Sequence, residues 1–273
     1  MSTYSIFLFA FSLFFLPFFS HFNICLALES EEEENYSYDE NTGRGPSRWG
    51  ELNPSWYRCG NGTSQSPIDI SRLSEQLSPD LAALHTHYKP AQATLINKGH
   101  DILVQWNEDA GDLNISGVEY KLLQSHWHTP SEHKINGRRF DAELHAVHKN
   151  SLGEIAVLGI LFTSGPPNPL LSKVYDQIRS LENNKTGEIG LGIINPYEIG
   201  FENNSSYYRY NGSLTTPPCD EGVLWTLLEQ VQTVSFGQIK ALKDAVKDGY
   251  EENARPTQPI NGRTVDQYPR SHF

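Results

Sequence analysis

The chain has 273 residues, 38% of them hydrophobic, which is enough for a large core and too mixed for a disordered or fibrous protein. Its formal net charge of −12 argues against a nucleic-acid partner held by phosphate neutralisation. The charge is uneven. Glu29, Glu31, Glu32, Glu33, Glu34, Asp39 and Glu40 place seven acids in twelve residues, which reads as a solvated leader ahead of the fold.

Residues Ile6 to Phe19 form an apolar run of 14, short for a membrane span and interrupted by Pro17. Cys25 and Ala27 then supply small residues at the −3 and −1 positions of a cut after Ala27. This pattern reads as a secretory signal peptide over 1–27, followed by an acidic flexible leader over 28–44 and one domain over 45–273. No Lys or Arg precedes the run, and the rival reading is an uncleaved N-terminal anchor. No second stretch reaches spanning length, so the mature chain is expected to lack a membrane span. The expected destination is the cell exterior or apoplast, with a plastid reached through the secretory route as the alternative. Once Cys25 leaves with the signal, Cys59 and Cys219 remain, and an even pair in a secreted chain reads as one disulfide. Acceptor triplets for N-glycosylation occur at Asn35, Asn61, Asn114, Asn184, Asn203, Asn204 and Asn211.

The rest of the chain has no repeat or linker. Short apolar or alternating runs predict strands over 93–96, 102–106, 121–128, 142–148, 155–162, 206–211 and 222–228, separated by turn signals such as Asn97-Lys98-Gly99 and Asn136-Gly137. Two helices are expected. Asn168 caps the first, with Pro169 at its first position. Ser235 and Gln238 form a capping box for the second, which Gly249 is expected to end. The fold class is mainly β, a single domain on a large, mostly antiparallel twisted sheet with a few peripheral helices.

Five of the ten histidines fall between positions 126 and 148. In a strand, side chains at i and i+2 share a face, so His126 and His128 point the same way, roughly 6.5 Å apart. Asn136-Gly137 lets the following run return antiparallel and bring His145 to the same ion. His148 falls on the opposite face. Three neutral imidazoles leave a tetrahedral Zn²⁺ one open position for water, the mark of a catalytic site. Gln124 shares a face with His126 and Glu143 with His145, so each is placed to fix a ligand's tautomer.

At this point the sequence resembles the α-class carbonic anhydrases of the plant secretory type. The resemblance rests on Gly45-Pro46-x-x-Trp49-Gly50, Gln65-Ser66-Pro67-Ile68-Asp69-Ile70, Gly99-His100 and Gln124-x-His126-x-His128-x-x-x-Glu132-His133. It continues through Ala142-Glu143-Leu144-His145-x-Val147-His148, Gly212-Ser213-Leu214-Thr215-Thr216-Pro217-Pro218 and Asn253-x-Arg255-Pro256. It implies an α-carbonic anhydrase fold and reversible hydration of CO2 to bicarbonate and a proton. The zinc makes its bound water acidic enough to ionise near neutral pH, a property for which carbonic anhydrase is itself the standard example. The implied roles are His126, His128 and His145 as ligands, Thr215 orienting the nucleophile while donating to Glu132, and Thr216 beside the substrate. Val147, Val157, Leu214, Val223 and Trp225 match an apolar wall for CO2, and His100 matches a proton shuttle. Cys59 and Cys219 match the disulfide of secreted members, bracing the loop that carries Thr215. Sulfonamides and anions are implied inhibitors. Tyr38 corresponds to a water-ordering tyrosine across a two-residue difference in spacing. Leu103 stands where a polar pocket residue is usual, and Lys98 precedes the shuttle turn.

Two rival readings stay open. A germin-type cupin also carries H-x-H-x-x-x-E, which His126, His128 and Glu132 satisfy; there Glu132 would be a ligand and Mn²⁺ plausible. An anhydrase-like storage or binding protein would keep the fold with little activity.

Overall fold

The computed structural model describes residues 36–71, 75–78, 81–200, 203 and 205–268. The signal peptide, the leader as far as residue 35, Asn35 and Asn204 lie outside the described residues.

Alternating apolar residues build the strands that position the site: β1 (Ala91–Asn97), β2 (Ile102–Trp106), β3 (Val118–His128), β4 (Ala142–Lys149), β5 (Ile155–Ser164), β6 (Gly187–Ile194), β7 (Tyr207–Ser213), β8 (Glu221–Leu228) and β9 (Val265–Tyr268). They belong to one 13-stranded sheet, in the order β6-β1-β2-β3-β4-β5-β8-β7-β9 and then Glu75–Leu77. Neighbours along this path are antiparallel except β5 with β8 and β9 with Glu75–Leu77. The sheet is therefore mixed but mostly antiparallel, the expected class.

The period of two in a strand sorts side chains between its faces. In β5, Ala156, Leu158, Ile160 and Phe162 join the larger core, while Val157 and Leu161 join a second apolar cluster on the other face. Both faces of β5 are thus covered, which accounts for its nearly unbroken apolar run.

Two helices pack on the larger core. α1 (Pro169–Ser180) starts where Asn168 accepts from the Leu171 amide, and it buries Leu170, Leu171, Val174 and Ile178. α2 (Phe236–Ala245) opens with the expected capping box of Ser235 and Gln238. It ends earlier than expected, because Val246 is extended and buried and the Lys247 amide donates to the Gly99 carbonyl at 2.7 Å. Gly249, at φ +90°, belongs to the following turn.

The acidic leader also meets the fold sooner than its charge suggested. Tyr36 is buried, the Trp49 indole donates to the Ser37 carbonyl at 3.0 Å, and the Glu40 carboxylate accepts from the Ser47 amide and hydroxyl. Two aromatic residues outweigh local charge here. Cys59 and Cys219, 160 positions apart, form a disulfide, and both are buried against Trp49 and Trp56.

His148 lies on the core side, away from His145, the other histidine of β4. Its Nε2 pairs with the Tyr88 hydroxyl at 2.7 Å, and it is wholly buried. Burial pulls its pKa from 6.5 down to about 4. The unfolded chain therefore binds a proton between pH 6.5 and 4 that the folded chain refuses. Stability that is complete above pH 6.5 falls as pH drops through this window, by on the order of 3 kcal/mol. Urea unfolding of His148→Gln is expected to have a shallower pH slope between 6.5 and 4 than wild type. An identical slope would remove His148 from the acid response.

Candidate metal centre

The register of β3 against β4 sets the site. His145 pairs directly with His126, so both stand on one face, and His128, two residues on, stands beside them. A bulge interrupts the pairing between Val147 and His148, beyond the three histidines, so their register is kept. The ring centroids of His126, His128 and His145 lie 4.6 to 5.1 Å apart. One ligand nitrogen from each ring falls within 4.8 Å of the other two.

Each ring has its outer nitrogen occupied. His126 Nδ1 meets Gln124 Oε1 at 2.9 Å, His128 Nδ1 meets the Asn253 carbonyl at 2.7 Å, and His145 Nε2 meets Glu143 Oε1 at 2.9 Å. All three partners are acceptors, so each ring carries its proton on that side. His126 Nε2, His128 Nε2 and His145 Nδ1 then keep their lone pairs for an ion. His128 Nε2 is a buried nitrogen with no hydrogen-bond partner, an arrangement that costs free energy unless something such as a metal takes it up. Burial and the neighbouring rings hold His126 well below its ordinary pKa, and burial also lowers His145, so both are neutral ligands. Three neutral nitrogens on a rigid sheet suit Zn²⁺, leaving room for a fourth, exchangeable ligand.

Glu143 is completely buried. Burial pushes its carboxyl up, but His133 and His145 outweigh it and hold the pKa well below the usual carboxylate range. Its Oε1 takes His133 Nδ1 at 2.7 Å as well as His145, and its Oε2 takes the amides of Glu132 and His133. His133 Nε2 meets the Tyr210 hydroxyl at 2.6 Å, which in turn meets Ser66 Oγ at 2.8 Å. The grouping of His133, Glu143 and His145 is therefore explained by its own hydrogen bonds. Opposite His145 on β5 stands Gly159, where an added Cβ would come within 2.7 Å of the Leu227 side chain and 3.2 Å of Glu143 Oε1. The glycine leaves Glu143 its space.

Glu132 is buried beside the rings. Its Oε1 accepts from the Arg255 amide at 2.8 Å, and its Oε2, without a hydrogen-bond partner, lies 3.6 Å from His128 Nε2 and 4.0 Å from His145 Nδ1. It is outside the set of atoms that converge with all three rings, which disfavours the cupin reading. Thr215 is buried in the loop after β7, and its hydroxyl makes no bond to Glu132 Oε2 in this structure. That loop is closed by the Leu214 amide on the Asp220 carbonyl, the Cys219 amide on the Thr216 carbonyl, and the disulfide.

A family model for eukaryotic-type carbonic anhydrases matches residues 44–269. The chain belongs to this family. Alpha carbonic anhydrase 4 of Arabidopsis thaliana is 46% identical over 237 residues, 87% of each chain. A dioscorin solved in complex with ascorbate has a TM-score of 0.84 at 42% identity, over 86% of this chain and 98% of its own. The α-carbonic anhydrase of Thermovibrio ammonificans, solved with the inhibitor sulfanilamide, has a TM-score of 0.74 at 34% identity, over 84% of this chain and 97% of its own. The fold is that of an α-carbonic anhydrase.

The other residues singled out from the family resemblance fall as follows. Val157, Val223 and Trp225 are buried in the second apolar cluster, and Val147 and Leu214 pack against it. Trp225 stands edge-on to His145, with centroids 4.8 Å apart, so this cluster borders the metal centre. Thr216 is half-buried. Leu103 pairs with His126 across β2 and β3 and is buried. Tyr38 packs edge-on to Trp49, and burial followed by the charge of Glu132 raises its hydroxyl pKa. Lys98 is half-buried, with burial lowering its pKa. Asn61, Asn184, Asn203 and Asn211 are exposed and Asn114 is half-buried.

Asn253, His133, Tyr210 and Gly159 received no role from the sequence. Asn253 lies in an irregular segment with no periodicity to read, and it acts on His128 through a backbone carbonyl that any residue possesses. Its side chain also accepts from the Thr129 amide and donates to the carbonyls of His100 and Trp127. His133 did carry a signal: it follows Glu132 directly, in a stretch already dense in histidine.

Proposed function

We propose that the protein is an active, zinc-dependent carbonic anhydrase that hydrates CO2 reversibly to bicarbonate and a proton. The observation that carries this reading is the convergence of His126, His128 and His145, each with its outer nitrogen held by an acceptor and its inner nitrogen free. When bound there, Zn²⁺ supplies a nucleophile from water at neutral pH and polarises the reacting oxygen.

The chain's own residues do the rest. Val147, Val157, Leu214, Val223 and Trp225 offer CO2, which has no charge or donor, an apolar rest beside the centre. Glu132, anchored through Oε1, holds Oε2 as an acceptor for the Thr215 hydroxyl, which in donating there turns its own lone pair toward the reacting water. Thr216 lies next to the substrate. His100 receives the product proton on its imidazole and releases it to buffer.

The chain is exported: residues 1–27 direct it into the secretory pathway, and the exposed acceptor asparagines carry glycans. The described residues contain no helix long and apolar enough to cross a membrane.

Stopped-flow CO2 hydration on the purified mature chain tests the reading. Zinc-dependent turnover inhibited by sulfanilamide is expected, since a sulfonamide anion occupies an open metal position. A fully metal-loaded protein without turnover would favour the storage or binding reading instead.

A further inference from the structure

His100 is not a surface histidine. It is 5% exposed, on the four-residue turn that joins β1 to β2. The turn is pinned from three sides. The Gly99 amide donates to Asn97 Oδ1 at 2.8 Å, the Lys247 amide to the Gly99 carbonyl, and Asn253 Nδ2 to the His100 carbonyl at 2.9 Å. Asn253 thereby ties this turn to the strand bearing His126 and His128. Tyr36 stands edge-on to the His100 ring, with centroids 5.9 Å apart, and Tyr250 lies 6.4 Å away.

Such a setting opposes protonation. Burial pulls the imidazole below its ordinary pKa, and the charges of Lys98 and Lys247 act in the same direction. A shuttle held neutral would be a poor proton acceptor, since transfer works best with a pKa near the working pH. The next residue supplies an opposing charge. Asp101 is 6% exposed, its Oδ2 lies 3.8 Å from His100 Nε2, and its Oδ1 is buried with no hydrogen-bond partner. A buried carboxylate with an unpaired oxygen is costly alone, as is a buried imidazolium. Placed at ion-pair distance, each offsets the cost of the other.

We propose that Asp101 is the counter-ion of His100, making the proton shuttle a buried carboxylate–imidazole pair and Asp101 its positioning residue. This rests on His100 being the shuttle. A proton arriving from the metal centre bonds to an imidazole nitrogen and converts His100 to imidazolium. Buffer then removes the same proton.

The direct test is an NMR titration of His100 in the zinc-loaded protein, wild type against Asp101→Asn and Asp101→Glu. The Asn variant is expected to weaken proton binding at His100 about tenfold or more, a midpoint lower by about one pH unit. The Glu variant keeps most of the wild-type midpoint. In wild type, the Asp101 carboxylate carbon shift moves with the His100 midpoint, a readout that needs no variant. In dilute buffer, kcat of the Asn variant falls about tenfold and imidazole restores it, while kcat/KM holds. An unshifted or raised His100 midpoint in Asp101→Asn, or a carboxylate shift indifferent to that midpoint, overturns the pair. A lowered midpoint together with full turnover of His100→Ala in dilute buffer keeps the pair and rejects the shuttle.

Discussion

His128→Ala is expected to lose zinc and CO2 hydration together. His128 is the most deeply committed of the three rings: wholly buried, held at Nδ1 by a backbone carbonyl, and carrying the one ligand nitrogen that is buried with no partner. Alanine leaves two imidazoles, which hold Zn²⁺ poorly. Removing an outer hydrogen-bond partner alone costs roughly 10–100-fold in metal affinity, so losing the ligand should cost more than about a hundredfold. Metal analysis after dialysis and stopped-flow hydration read the two effects side by side. Gln124→Ala serves as the graded control, with weaker metal binding and the chemistry retained. No comparable control exists at His128, because its acceptor is the Asn253 main chain and survives every substitution at that position.

Glu132→Gln is expected to keep zinc and lose most of the rate. The orientation of the new amide is dictated by the fold. The Arg255 amide needs an acceptor, so the glutamine carbonyl takes the place of Oε1 and its NH2 takes that of Oε2. A donor then stands where the Thr215 hydroxyl must donate. Losing one oriented hydrogen bond of this kind costs on the order of 10²-fold in rate. The expected result is kcat/KM lower by about a hundredfold with one zinc per chain retained. An unaltered rate would take Glu132 out of the reaction.

How much of this was legible in the sequence follows from how local each signal is. The two-residue period of a strand put His126 and His128 on one face, and the turn at Asn136-Gly137 returned His145 to them; the observed register pairs His145 with His126 directly. Gln124 and Glu143 were found by the same i, i+2 logic and do hold their rings. The capping box of α2 was visible because it is written within four residues, whereas its end was not, because a contact from Lys247 to Gly99 decides it. Asn253 and Asp101 show the other limit. Asn253 works from an irregular segment 125 residues beyond His128, and nothing local in Asp101 announces a buried, half-paired carboxylate. Tyr36, buried, and Tyr38, half-buried, show that a charge run does not mark a boundary when aromatic rings inside it can pack on the fold.

X-ray absorption at the zinc edge of the purified mature chain tests the centre most directly. Three imidazole nitrogens at about 2.0 Å with one exchangeable oxygen is the expected shell, the oxygen giving way to nitrogen when sulfanilamide is added. A shell containing the Glu132 carboxylate, or four protein ligands with no exchangeable position, would contradict it.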